Sequence, residues 1–265
     1  MGSVPSSRHY GTINTPMDKA TWTGLLIGFG GILFANTIDG GEFGSLMQGT
    51  AAIIVLTGTF GAVLISNSSK DIKMGFRLAG EAFDHKESDI QYKINELVDY
   101  ARTARRESLV ALESKIPKAS DLFMKELLKT VVDGTENSLT KEIFEGKIDS
   151  EEDDLLSAAK IWSDAGGFAP TIGILGAVLG LIHVMGNLAD TSKLGAGIAV
   201  AFVATIYGVG FANLLFIPLG NKIRKKIARR IKEKRVILEG ALLINSSLNP
   251  LLIDQKLKAL VEVAR

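Results

Sequence analysis

Four long apolar stretches, set apart by polar ones, dominate the pattern along the chain. Trp22 to Ile38 (WTGLLIGFGGILFANTI), Leu46 to Ser66 (LMQGTAAIIVLTGTFGAVLIS), Phe168 to Leu188 (FAPTIGILGAVLGLIHVMGNL) and Gly197 to Leu219 (GIAVAFVATIYGVGFANLLFIPL) are continuous in apolar character. Each approaches the roughly 20 residues that a helix needs to cross a hydrocarbon core of about 30 Å. The first two flank the short loop DGGEFGS, with Asp39 and Glu42, and the last two flank a loop holding Asp190 and Lys193. The pattern predicts an all-α membrane protein with four transmembrane helices in two tight hairpins.

Between the pairs the period changes. In INELVDYARTARRESLVALES, residues Ile94, Leu97, Val98, Ala101, Ala104, Leu109 and Leu112 recur at helical spacing. That spacing predicts one amphipathic helix with a charged outer face. Further helices are predicted from Ser120 to Val132, before a turn at Asp133-Gly134, and from Ser138 to Phe144. The acidic run Asp149 to Asp154 reads as the start of another helix, since carboxylates favour a helix N-terminus, and that helix leads back to the membrane. The tail from Val236 to Arg265 is helical in pattern and broken at Asn249-Pro250. No segment reads as a strand. The divisions expected are a disordered tail (1–20), a first transmembrane hairpin (21–66), a cytoplasmic helical domain (67–165), a second hairpin (166–220) and basic C-terminal helices (221–265).

Charge orients this arrangement. Net charge is only +1, with 46% hydrophobic and 22% charged residues, so what matters is where the lysines and arginines gather. Lys70, Lys73 and Arg77 follow the second stretch, and a dense run from Lys222 to Arg235 follows the fourth. Positive charge stays on the cytoplasmic side, so both termini and the insert from Asn67 to Ala165 are expected inside a bacterial inner membrane. The run is also a candidate contact for anionic membrane lipid. Nothing in the balance points to nucleic acid. The N-terminal residues lack a signal peptide's short basic start and apolar stretch, so the first span is expected to stay uncleaved.

The chemistry available is narrow. There is no cysteine, and His9, His85 and His183 are too far apart for local metal-ligand spacing, so neither a metal nor a cofactor is expected. No GxxxxGK[ST] phosphate loop occurs and no nucleophile set is suggested, which disfavours an enzyme. The four apolar stretches carry no Asp, Glu, Lys or Arg away from their ends. Proteins that relay ions usually keep such a group inside the membrane at a cost of about 2.5 to 3.5 kcal/mol, and this chain has none. His183 is read as a packing or interfacial histidine. Asn36, Thr57, Thr59 and Asn213 are too scattered for the substrate site of a self-contained transporter. What the stretches do hold is glycine, including Gly173, Gly176, Gly180, Gly208 and Gly210, and small residues let membrane helices approach closely. With Pro170 and Pro218 read as interruptions, the third and fourth stretches suggest an oligomeric interface around a central space.

Four segments resemble the flagellar stator A subunits, the MotA/PomA family. They are GGFAPTIGILGAVLGLIHVM, GIAVAFVATIYGVGFANLLFIPLGNKI, ARRESLVALE and LNPLLIDQKL, and the likeness covers nearly everything after Thr21. The resemblance implies a homo-oligomeric ring, a pentamer, around two copies of a single-span B subunit. That partner's aspartate carries the ion and its outer domain binds peptidoglycan. Ion passage then turns the ring, and the insert drives the rotor's switch-complex protein FliG.

Carried over by position, the resemblance assigns rotor contact to Arg105 and Glu113, with Arg106 and Glu107 beside them. Arg105 and Glu113 are eight positions apart, so an unbroken helix would place them on one face. It assigns coupling of ion flow to movement to Pro170 and Pro218. Sodium-driven members keep a threonine hydroxyl on both the third and the fourth helix. Here the positions are Ala177 and Thr205, and loss of one hydroxyl favours protons. Ser108 departs from the glycine of many relatives. A TolQ/ExbB-like energiser shares the ion-using hairpin but usually has three spans in a different order. A related ion-driven motor and a non-energised scaffold are further alternatives.

Overall fold

The computed structural model describes residues 19–84, 89–186 and 191–262. Residues 1–18 of the expected tail, Asp190, His9 and His85 lie outside these, and the side chain of Lys193 is likewise not described; the last two tail residues, Lys19 and Ala20, belong to the first helix. The secondary structure is helical, in the order α1 (Lys19–Ile38), α2 (Gly49–Ser66), α3 (Ser69–Phe83), α4 (Ile90–Arg106), α5 (Leu122–Val132), α6 (Asn137–Met185), α7 (Thr191–Phe211), α8 (Ile217–Asn245) and α9 (Pro250–Glu262). Among the described residues, four helical stretches are long and apolar enough to cross a membrane: Lys19–Ile38, Phe43–Ser66, Asn137–Met185 and Leu194–Asn245.

Several ends follow from local chemistry. The Ser68 hydroxyl accepts from the Asp71 N–H, Asp89 from the Tyr92 N–H and Asp121 from the Phe123 N–H, so α3, α4 and α5 each begin on a side-chain cap. Gly134, at φ +76°, ends α5 in the left-handed conformation that glycine adopts without strain. Ser247 turns the chain between α8 and α9.

Three readings of the sequence are corrected. The acidic run Asp149 to Asp154 starts no helix, because α6 passes straight through it for 49 residues, about 70 Å of helix. Its carboxylates brace neighbouring helices instead. Asp149 and Glu152 accept from Arg235 at 3.1 and 2.9 Å, Glu151 accepts from Lys234 and pairs ionically with Arg230 at 2.9 Å, and Asp154 accepts from Lys70 at 2.7 Å.

The same contacts occupy much of the basic run proposed for lipid. Lys226 donates to the carbonyls of Glu81 and Asp84, and Lys232 to that of Val261.

The first pair of spans does not close tightly on itself. α1 leans on the segment Ala212–Phe216 rather than along α2, with Gly28 against Leu214 and Phe29 6.4 Å from Phe211. α2 packs on α6 and α7, where the Tyr207 hydroxyl donates to the Leu46 carbonyl at 2.6 Å.

Finally, Pro170 does not interrupt α6. At the other proline the chain makes a π-turn over Ala212–Phe216, in which the Ile217 N–H donates to the Ala212 carbonyl, and α8 then begins with Pro218 in its first turn. A π-turn widens the helix by one residue and often marks a functional position.

The main core lies in the cytoplasmic half predicted by the charge pattern, where Leu97, Leu112, Leu127, Phe144, Ile231, Ile244 and Leu257 are buried together. Lys93 binds it into one unit, donating to Asp121 on the α5 cap at 2.9 Å and to Glu233 on α8 at 3.2 Å. Burial alone would lower the Lys93 ammonium, but Asp121 and Glu233 outweigh it and raise the group above its ordinary value. Burial would raise the Asp121 carboxyl, yet the Lys93 hydrogen bond and charge hold it below the usual carboxylate range.

Candidate ion pathway and torque face

Two groups of residues carry the functional reading. The first lies where α6 and α7 meet. Their contact is backbone on backbone and antiparallel: Gly173 faces Ala204 and Gly208, Gly176 faces Ala204, and Gly180 faces Gly197 and Ala201. A Cβ on Gly208 would lie 2.5 Å from the Ala169 carbonyl oxygen, so nothing larger than hydrogen fits there. This closeness lets the two apolar helices pack by dispersion where no hydrophobic effect drives them together.

Thr205 is half-buried on the rung of Gly173, 3.4 Å from that glycine's Cβ position, and its hydroxyl donates to the Ala201 carbonyl at 3.4 Å. Ala177 is half-buried one turn further along α6, beside Gly176. The two positions weighed for ion choice therefore occupy successive rungs of the same interface. Pro170 follows Ala169, which meets Gly208, and Pro218 follows Ile217, whose side chain fills the space over Gly166. Pro218 is exposed and lines a cavity of about 310 Å³ between α1 and α8. Pro170 thus sits at one end of the α6–α7 ladder, and Pro218 at the neighbouring α6–α8 contact.

Where these spans leave the glycine ladder, an aromatic cluster clamps four helices. Trp162 of α6 lies 5.3 Å from Phe76 and 6.2 Å from Phe216, and Phe60 of α2 lies 5.9 Å from Phe216. The indole N–H of Trp162 donates to the Gly75 carbonyl at 3.0 Å, fixing α3 to α6. The sequence reading passed over α3, although apolar Ile72, Gly75, Leu78, Ala79 and Ala82 recur at helical spacing there and could have revealed it.

The second group is at the far end of the insert. Arg105, Arg106, Glu107 and Glu113 are all exposed. They do not share one helix face, because α4 ends at Arg106 and Glu113 sits in a short 3-10 turn, Val110–Ser114. Two things turn the chain there. Ser108 Oγ accepts from the Ala111 N–H at 3.3 Å, and Leu112 and Ile116 bury themselves, which draws the segment back along α4. Lys115 seals the fold by donating to Asp99 at 3.0 Å and to the Thr103 hydroxyl at 2.7 Å. The arginines thus end a helix, and Glu113 stands on the returning strap. His183 is exposed near the opposite end of α6, beside a cavity of about 350 Å³ that also borders Thr50 and Gly197.

Four apolar helical stretches, two of them meeting backbone on backbone through glycine, define an all-helical protein of the membrane-spanning type. The family model described as the MotA/TolQ/ExbB proton channel family matches residues 115–235. Motility protein A of Bacillus subtilis (strain 168) is 34% identical over 242 residues, covering 91% of this chain and 90% of that protein. Chemotaxis protein PomA of Vibrio alginolyticus is 28% identical, covering 91% and 94%. Among solved structures, C. jejuni MotAB aligns with a TM-score of 0.86 at 28% identity, over 92% of this chain and 96% of that one. The flagellar MotAB stator complex from Bacillus subtilis aligns at 0.83 with 33% identity, over 91% and 96%. This chain belongs to the MotA/PomA family.

Proposed function

We propose that the chain is the A subunit of a proton-driven flagellar stator. The observation that carries this reading is the α6–α7 interface. It is built for close helix contact and lined by Thr205, yet the described spans offer no carboxylate to hold an ion. The ion carrier is an aspartate on a single-span B subunit, a partner of the kind implied by relatives solved as MotAB complexes. Ala177 in place of a hydroxyl leaves too few oxygens to replace a sodium ion's water, whereas a proton needs only the partner's carboxylate. The exposed apolar side chains of α6 and α7, among them Ile174, Val178, Phe202 and Ile206, suit a ring of five copies around a B dimer.

Residues 21–66 and 166–220 are the membrane portions, with both termini and residues 67–165 in the cytoplasm. The insert carries torque to FliG through Arg105, Arg106, Glu107 and Glu113. Pro170 and Pro218, with the π-turn beside the latter, make the helices yield as the ion passes. Arg224 and Lys225, exposed and outside the ion pairs that occupy Arg230, Lys234 and Arg235, are the part of the basic run left to meet anionic lipid.

The test is deletion of the gene in a host stripped of other stator genes, with complementation. Flagellated, paralysed cells rescued by the wild type, and poorly by Arg105→Glu with Glu113→Lys, are expected. Normal swimming after deletion would overturn the proposal.

A further inference from the structure

A cavity of about 730 Å³ opens between α4 and the start of α9. That volume is within the range of about 300–1,000 Å³ typical of small-molecule sites. Arg102, Arg105, Arg106 and Lys258 line it, with Asp254 the only carboxylate among the described residues there, and that carboxylate is already held by Lys258 at 2.7 Å. The three guanidinium groups make no hydrogen bond or ion pair with any described residue, whereas the cations of α8 facing α6 are paired.

The amides on the rim point the same way. Asn95 spends its oxygen on the Gln91 side chain at 3.2 Å, and Asn249 spends its own on the Leu251 N–H at 3.1 Å. Each keeps both N–H₂ donors to offer. Val98, Pro250 and Leu251 supply an apolar wall. The cavity offers four cations against one carboxylate, together with amide donors and one greasy side.

We propose that this cavity binds a small phosphate-bearing anion of the nucleotide or polyphosphate class, gripped by Arg102, Arg105 and Arg106. Guanidinium forks take phosphate oxygens two at a time, and several unpaired forks around one concavity suit several phosphoryl oxygens better than one carboxylate. The apolar wall suits a planar ring, and the concave shape favours a small ligand over the broad face of another protein. An occupant would cover Arg105 and Arg106 and so compete with the rotor. That consequence rests on the stator reading above, but binding does not.

The test uses the full chain purified in detergent, titrated with a fluorescent ATP analogue and then with ATP, pyrophosphate and inorganic phosphate as competitors. Saturable binding is expected, displaced by ATP and pyrophosphate at far lower concentration than by phosphate. Arg102→Gln should weaken it by about tenfold or more, the scale of one lost charge-assisted contact. Arg224→Gln, on α8 and outside the cavity lining, should leave it unchanged. Absence of saturable binding, equal loss in both variants, or no loss in Arg102→Gln would overturn the site. Binding of an acidic peptide in place of all the phosphate probes would also overturn it, and would return the cavity to the rotor contact. Saturable binding in cells' worth of protein whose gene proves dispensable for swimming would keep the site and discard only the stator reading.

Discussion

Gly208→Ala isolates what holds the third and fourth spans together. The added methyl carbon would stand 2.5 Å from the Ala169 carbonyl oxygen and 3.0 Å from the Gly173 Cα, whereas ordinary contact begins at 3.4 Å. Both obstacles are backbone, so no rotamer change relieves them. The helices must part by about 0.9 Å, the shortfall between 2.5 and 3.4 Å, and that displacement loosens the whole ladder from Ala169 to Gly180. Overpacking of this kind costs about 1–3 kcal/mol.

Gly210→Ala is the matched control, two residues along α7 with nothing within 4 Å of its Cβ position. Alanine is there worth about 0.5–1 kcal/mol in helix preference, so its sign is neutral to favourable. Thermal unfolding of the full chain in detergent, followed by intrinsic fluorescence, should place Gly208→Ala below the wild type by several degrees and Gly210→Ala at or above it. Gly173→Ala combined with Gly208→Ala should cost less than the sum, because the two share one contact. Equal melting of the two single variants would refute the claim that backbone contact at Gly208 supports this interface.

Lys93→Met should cost about 3 kcal/mol, since it leaves Asp121 and Glu233 facing each other without a cation, and adding Glu233→Leu should recover much of it; failure of that rescue would sink the account. The acid limb should also reverse sign. In the wild type the depressed Asp121 gives stability above its unfolded value of about 3.9, lost as pH falls through its lower folded value, and the raised Lys93 gives stability below about 10.4, lost as pH rises through its folded value. In Lys93→Met, protonation of Asp121 removes its repulsion with the facing Glu233 carboxylate, so stability should rise as pH drops towards 4, and parallel profiles would count against the mechanism. Trp162→Phe removes the bond to the Gly75 carbonyl and should cost about 1–3 kcal/mol, seen as faster hydrogen exchange along α3; unchanged exchange there would contradict the clamp.

Composition alone determined a good deal about this protein. Four spans, a helical insert and the absence of an internal carboxylate are all consequences of hydrophobic runs about as long as a bilayer is thick, and such runs have few other uses. The capped starts of α4 and α5 and the break before Pro250 were similarly local, each depending on a few adjacent residues.

Other features depended on partners distant in sequence. Whether Arg105 and Glu113 share a face turned on Leu112 and Ile116 finding a core, and that burial ended α4 where its periodicity continued. The carboxylates from Asp149 to Asp154 looked like a helix start because their cations, on α8 and α3, stand some eighty residues away in sequence. The glycines announced close packing but not their partners, and only the tertiary structure sorted those pressed against backbone, such as Gly208, from those facing open space, such as Gly210. Periodicity reports which face of a helix is apolar, while the choice of what covers that face is made by contacts that no single segment contains.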